Sequence, residues 1–381
     1  MSPNFIFENN ELRIFDFDLE EWRISENPIS EEQINALKRW EDLTNFEGNA
    51  NGFRIITQNC DKGINPTCAL LGTFTKYPRE SYLFQDPYKT IGKEELPKSQ
   101  SKYGFFQEQK ELFKLVAEEL GLIKVDNISK QDIAFKRHPL AFLMEASDDI
   151  AYGMIDFEDG CRLNLIDFEK KYKTIKVRNK DNTFKDIPIN KSPKEILIDI
   201  AKIDHSFDNN KLDSLSDYKQ QISYLRSKVI NVLVHLCFDV FKKEYENIMS
   251  GNFDKALIEC IEDTNVLENL KLMKSLIRKY IYQYPPVLEC EASGFEVMDN
   301  LIGAFAITSN VCYSCGEIET SKDKKLRSLL PDEFQPDTEK EIKNLSEEEK
   351  YKRILSVLDY ISGMTDKYAI NLYRKIKGIE N

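Results

Sequence analysis

Apolar residues along this chain recur mostly every three or four positions, the spacing of helices buried along one stripe. Ser30 followed by Gln33 is a capping-box pattern and predicts a helix from there to about residue 46. A second helix is predicted over 107–120, stopped by Gly121 just past its end. Longer amphipathic helices are predicted over 217–249, 265–284 and 295–306, with a closing pair over 347–364 and 366–377. Residues 174–189 alternate β-formers around a polar turn and predict a small hairpin. Residues 321–346 are charged and hold few apolar positions, so an exposed linker is expected there. The divisions are therefore 1–45 as an atypical N-terminal segment, 46–170 and 171–320 as helical bodies, 321–346 as linker, and 347–381 as a helix pair.

The stretch RHPLAFLMEASDDIAYGMIDFEDG, residues 137–160, carries the most chemistry. Pro139 suits the first turn of a helix and Gly160 its far end. Asp148, Tyr152 and Asp156 follow at i, i+4 and i+8, with Glu145 three residues before and Asp159 three after, so all five share one face. Leu140, Phe142, Leu143, Met144, Ile150, Met154, Ile155 and Phe157 demand burial elsewhere on the helix, with Ile150 and Met154 expected inside. A carboxylate row inside a buried helix is costly unless a cation compensates it. Periodicity leaves two readings open: a metal or metal-carrying ligand beside the row, or a solvated stripe on an ordinary amphipathic helix.

Composition narrows the classes. Fifteen Gly and thirteen Pro in 381 residues agree with a mainly α fold. No run approaches the ~20 apolar residues of a membrane span, and the acidic start lacks the order of a signal peptide, so no membrane partner and a cytoplasmic location are expected. A net charge of −12 argues against a general nucleic-acid surface while allowing a local basic nucleotide pocket. Eight cysteines without a disulfide-like framework suit a reducing compartment. Cys312 and Cys315 form a lone CxxC with only Cys290 in reach, read as ordinary thiols in preference to a zinc site.

The 137–160 stretch resembles the deoxynucleoside triphosphate triphosphohydrolases, the dGTPase branch of the HD phosphohydrolases. Three further segments agree in order: NFEGNANGFRIIT at 45–57, TKYP at 75–78 with KYGFFQEQKELF at 102–113, and DYISGMTDKYAINLYRKI at 359–376. The resemblance implies an HD-domain-like helical body that hydrolyses a dNTP, dGTP first among them, to deoxynucleoside and tripolyphosphate. It also implies a divalent cofactor, Mg²⁺ or Mn²⁺. One departure limits it: HD enzymes hold metal with an early His, a His-Asp pair and a later Asp. Here the three histidines, His138, His205 and His235, precede Pro, Ser and Leu, and no His-Asp dipeptide occurs. The resemblance covers the part that follows such a motif, and a truncated chain is expected, with weak metal binding and no identifiable catalytic residue.

Residue by residue, Asp148 matches the family's late metal-binding aspartate. Tyr152 and Asp156 match positions facing the deoxyribose: a ring over C2′ leaves no room for a hydroxyl, and a carboxylate accepts from the 3′-OH. Lys76 and Lys102 match cations facing the triphosphate, and Arg353 is a candidate phosphate contact from the C-terminal region. Glu47, Asn49, Arg137, His138 and Asp149 are assigned bracing roles, Gly48 a kink or close approach, and Glu158 a surface charge. The implied partners are a dNTP, further copies of the chain in a homo-oligomer, and a complementing HD-containing chain. A non-catalytic nucleotide-binding or assembly subunit is the competing function.

Overall fold

The computed structural model describes residues 5–8, 11–16, 21–24, 29–58, 64–89, 91–92, 95–178, 183–311, 320–335 and 345–379. Cys312 and Cys315 lie outside them. The mainly α expectation holds: among the described residues there are fourteen α-helices and two small antiparallel sheets. None of these helices is long and apolar enough to cross a membrane.

The first sheet was not expected. Strands β1 (Phe5–Glu8), β2 (Glu11–Asp16) and β3 (Glu21–Ile24) form a meander, with Phe5 opposite Ile14 and Phe15 opposite Trp22. Helix α1 (Glu31–Thr44) then starts from a complete capping box: the Ser30 hydroxyl accepts from Gln33 N–H, and the Gln33 side chain accepts from Ser30 N–H. Helices α2 (Gly48–Thr57), α3 (Cys68–Phe74) and α4 (Lys110–Glu119) enclose an aromatic cluster of Phe53, Phe105 and Phe113. Gly121, at φ +62°, ends the α4 stretch, and Leu122 N–H reaches back to Ala117 O, closing the turn as the sequence predicts.

A buried ionic cage fixes α1. The Lys38 ammonium is fully buried, 2.6 Å from Glu80 and 2.9 Å from Asp132, and donates to Gln131 O; Lys110 approaches Glu80 at 3.2 Å. Burying these charges is tolerable because every one meets an opposite partner.

The central helix α5 (Pro139–Arg162) runs two residues beyond Gly160. Ile150, Met154 and Phe157 are buried as predicted, inside the main core shared with helices α6 (Pro193–Ala201), α8 (Tyr218–Lys243) and α10 (Thr264–Tyr280), whereas Leu140 and Ile155, also expected to be buried, are about half exposed. The hairpin appears as β4 (Tyr172–Arg178) and β5 (Phe184–Lys191), with Ile175 opposite Ile187. Its inward Ile175, Val177 and Ile189 join the same core. Short helix α7 (Asn209–Ser214) precedes α8, and α9 (Tyr245–Met249) follows it, so the predicted 217–249 helix is two pieces.

Two differences concern the C-terminal part. Helix α11 (Pro285–Val311) starts ten residues before the predicted 295, because Pro285 and Pro286 occupy a first turn whose N–H groups need no intrahelical partner. The 321–346 stretch is not featureless: α12 (Ser321–Arg327) begins at a Thr320/Asp323 capping box and sends Leu326 inward, and Leu330 follows into the core; residues 336–344 lie outside the description. Helices α13 (Glu347–Ser362) and α14 (Asp366–Lys377) close a second core with α11 around Leu301, Phe305, Tyr360 and Leu372. Tyr351 and Leu355 of α13 also pack on Ala50, Tyr103 and Phe106, joining the C-terminal helices to the N-terminal ones. The same seam carries the Arg54–Asp359 ion pair, with the guanidinium Nε 2.8 Å from the carboxylate and a second contact to Glu108.

Candidate functional site

Entry of the chain into α5 is set by Arg137 and His138. The Arg137 guanidinium, fully buried, donates to Glu145 at 2.7 Å and to Lys76 O at 2.9 Å. It lies over the rings of Tyr77 and Phe142, 6.0 and 5.3 Å from their centroids. His138 caps the helix: its Nδ1 accepts from Leu140 N–H at 3.3 Å and lies 3.3 Å from Thr73 Oγ1. Burial holds its pKa below the ordinary histidine value, so the neutral ring that a cap acceptor requires is the favoured form. Both side chains are thus taken up by contacts at the entry to α5.

The acid row divides along the helix. Glu145 is buried and compensated twice, by Arg137 and by the Lys76 ammonium at 3.4 Å. One turn on, Asp148 is half exposed, with Lys76 at 3.9 Å. Tyr152 is 66% exposed, so its ring is a free platform and not a packed core aromatic. Asp156 accepts a hydrogen bond from the Tyr282 hydroxyl, and burial together with the Asp156 charge pushes the Tyr282 pKa up to about 12. Tyr282 was not singled out from the sequence; its place two residues past α10 gives no motif, only a tyrosine near a helix end. Asp149 is half-buried, and its pKa is raised by burial and by Glu145, against the opposing pull of Lys76, Lys274 and Lys98.

Glu158 is a correction. It is buried, not a surface charge, and pairs with Arg162 at 2.7 Å and with Arg226. Arg162, one turn on along α5, and Arg226 from α8 together compensate that burial, and the second of these is not revealed by residue spacing on one helix.

Lys102 lies close to the 75–78 segment that carries Lys76. Lys102 Nζ lies 3.1 Å from Glu47 and 5.9 Å from the Tyr77 ring, itself shared with Arg137. Glu47 is the N-cap of α2, accepting from Asn49 N–H and from the Asn49 amide at 2.6 Å. Glu47 and Asn49 thus brace the loop. Gly48 simply opens α2; a Cβ there meets nothing within 4 Å, so no close approach explains it. Arg353 stands on α13, which packs on α1 and α11.

The donors present do not fit a divalent ion. Asp148 is the one metal ligand expected of this chain, and the donors nearest it are already engaged: Glu145 by Arg137 and Lys76, and His138 Nδ1 by the helix cap. Among the described residues no group of three or more His, Cys, Asp or Glu is arranged to hold a metal. An ammonium beside Asp148 supplies the compensating charge instead.

A phosphohydrolase-associated domain family matches residues 262–375. The chain is 35% identical over 355 residues to a deoxyguanosinetriphosphate triphosphohydrolase-like protein of Synechocystis, covering 91% of this chain and 68% of that protein. A protein of the same description from Listeria monocytogenes is 28% identical, over 89% of this chain and 66% of its own length. A deoxyguanosinetriphosphate triphosphohydrolase of Yersinia enterocolitica is 27% identical, over 92% and 67%. The matches thus span about two thirds of the length of these relatives.

Proposed function

The chain belongs to the deoxyguanosinetriphosphate triphosphohydrolase family, and from that premise we propose that it binds a deoxynucleoside triphosphate, dGTP first, along the open edge of α5. The observation that carries this is the run of Asp148, Tyr152 and Asp156 on three successive turns, exposed or half-exposed, with the Lys76 ammonium at one end. A triphosphate needs cations, supplied by Lys76 and Lys102 with Arg353 as a further candidate, while the sugar needs an aromatic face and an acceptor, supplied by Tyr152 and Asp156. The exposed Tyr152 ring suits stacking on C2′, where an added hydroxyl would have no room. The Tyr282–Asp156 hydrogen bond aims the acceptor and is exchanged for the 3′-OH on binding.

For the 381-residue chain alone the reading is binding without turnover. No His-Asp dipeptide exists in the sequence, and the carboxylates on α5 that face a lysine do not assemble a metal site. Hydrolysis then depends on an HD-bearing segment or chain in the same assembly, with Mg²⁺ or Mn²⁺ held there. Purified alone, the protein is expected to release no measurable tripolyphosphate from any dNTP with Mg²⁺ or Mn²⁺, while calorimetry detects dNTP binding that weakens about tenfold or more in Lys76→Met and in Tyr152→Ala. Robust turnover that disappears in Asp148→Ala would overturn the reading of the chain as non-catalytic. Binding unaffected by either variant would overturn the placement of the nucleotide.

A further inference from the structure

Helices α12 and α14 both lean on α11 beside the second core, but hardly meet each other. The gap between them is a groove. Its floor is one face of α11, where Asn300, Gly303, Ala304, Ile307 and Thr308 follow at helical spacing. One wall holds Lys322, Leu326 and Leu329, from α12 and the turn after it; the other holds Leu372, Ile376 and Lys377 of α14. Two cavities lie along it, of about 370 and 550 Å³, and they share Lys322, Leu326 and Ile376, so the groove is continuous.

Floor and walls are apolar yet open to water. Ile307 is 60% and Leu329 47% exposed, and a Cβ added at Gly303 meets nothing within 4 Å. Charge around the groove runs against that of the whole protein. Helix α12 carries four cations against Asp323, and α14 four against Asp366, in a chain of net charge −12. Lys322 and Lys325 stand on one rim, Lys375 and Lys377 on the other. Lys377 lies over the Tyr373 ring, and none of the other three is in an ion pair among the described residues. Exposed apolar surface with cations gathered on both sides of it suits an amphipathic anion.

We propose that this groove seats an acidic amphipathic helix of a partner protein. The floor from Asp299 to Thr308 covers about 14 Å of helix axis, room for two to three turns of a guest. The guest's apolar stripe lies on Ala304, Ile307, Leu329 and Ile376, and carboxylates flanking the stripe on both sides meet the lysines of both rims. A single acyl chain laid there would keep one side in water, because Ile307 and Leu329 stay open to solvent; a helix turns its polar face outward instead. A flat membrane surface would rest on the walls without reaching the floor. The groove belongs to the C-terminal helices and not to the open edge of α5, so this inference stands independently of the nucleotide reading.

A display library of helical peptides of about fourteen residues, panned on the full chain, tests it. Enrichment of Leu, Ile or Val at i, i+3, i+4 and i+7, with Asp or Glu on both flanks, is expected. The selected peptide, labelled and followed by fluorescence anisotropy, should bind about tenfold or more weakly to Leu329→Glu, to Gly303→Leu, which fills the floor, and to Lys322→Glu/Lys375→Glu. Circular dichroism of these variants stays unchanged, because Leu329, Lys322 and Lys375 are exposed and Gly303 has room for a side chain. Exchanging the peptide's acids for lysines should restore binding to Lys322→Glu/Lys375→Glu and abolish it on the wild type. No enrichment, enrichment without the acids, or a peptide indifferent to Leu329→Glu overturns the proposal. Oleate, phosphatidylglycerol vesicles and a second copy of the chain are tested against the same variants. If one of these binds through the groove and no peptide does, the occupant is that one and the proposal fails.

Discussion

Asp42 offers the sharpest physical test of the interior. It is wholly buried where α1, residues 103–107 and α13 meet, accepting from Gln107 N–H at 2.7 Å and from the Tyr351 hydroxyl. Burial, with Glu80 nearby, pushes its carboxyl from 3.8 up to about 7, outweighing those hydrogen bonds. Because the folded value lies above the unfolded one, the protonated acid contributes stability that is fully present below about pH 4 and is lost as pH rises through 7. Three pH units at 1.36 kcal/mol each give a total on the order of 4 kcal/mol, of which about 3 falls between pH 5 and 7. Asp42→Asn keeps an oxygen for Gln107 and Tyr351 but cannot ionise; its amide adds a penalty of about 1–3 kcal/mol that does not change with pH. The stability gap between wild type and variant should therefore shift by about 3 kcal/mol towards the variant from pH 5 to 7. Urea unfolding followed by tryptophan fluorescence reads it, since Trp40 sits on α1 two residues away. A gap constant to within about 0.5 kcal/mol over that interval would refute the assignment of a buried, neutral acid.

Two further perturbations address the ionic contacts. Lys38→Met leaves Glu80 and Asp132 facing each other with only Lys110 nearby, and is expected to cost about 3–5 kcal/mol in urea unfolding; a loss under 1 kcal/mol would mean that the cage is not desolvated. Arg54→Ala strands Asp359 and Glu108, so amide exchange in α13 and α14 should accelerate about tenfold or more while α5 is unaffected, and unchanged exchange would deny that the ion pair holds those helices.

Local signals in the sequence were strong where chemistry is local. Ser30 with Gln33, Pro139 at the start of α5 and Gly121 after α4 each announce a boundary through one or two backbone bonds, and each sits where expected. The same kind of signal lay unused at Thr320 with Asp323, and the alternation in residues 5–24 around Asn9 and Asn10 resembles a hairpin pattern. What could not be read was compensation between distant segments. Glu145 lies on the same helical face as Asp148 and Asp159, yet it is buried because Arg137 and Lys76 meet it, and Glu158 is buried because Arg226 of α8 joins its i+4 neighbour Arg162. Likewise nothing in the 137–160 motif shows that Lys76 stands beside Asp148, or that Tyr282 reaches Asp156.

The seating of α13 has a consequence for chain continuity. Its side chains grip partners some three hundred residues away: Asp359 holds Arg54, Tyr351 reaches Asp42, and Leu355 packs beside Ala50 and Phe106. While the backbone is intact, such a helix faces its seat at an effective concentration set by the connection, on the order of millimolar for a short flexible one and lower for a longer one. The grip itself is made of side chains, and none of it passes through the peptide bonds that lead to α13. A molecule nicked between α10 and α13 therefore keeps its last two helices docked as a tenant, and a detached C-terminal peptide becomes a ligand of the remainder, competing for the seat by mass action.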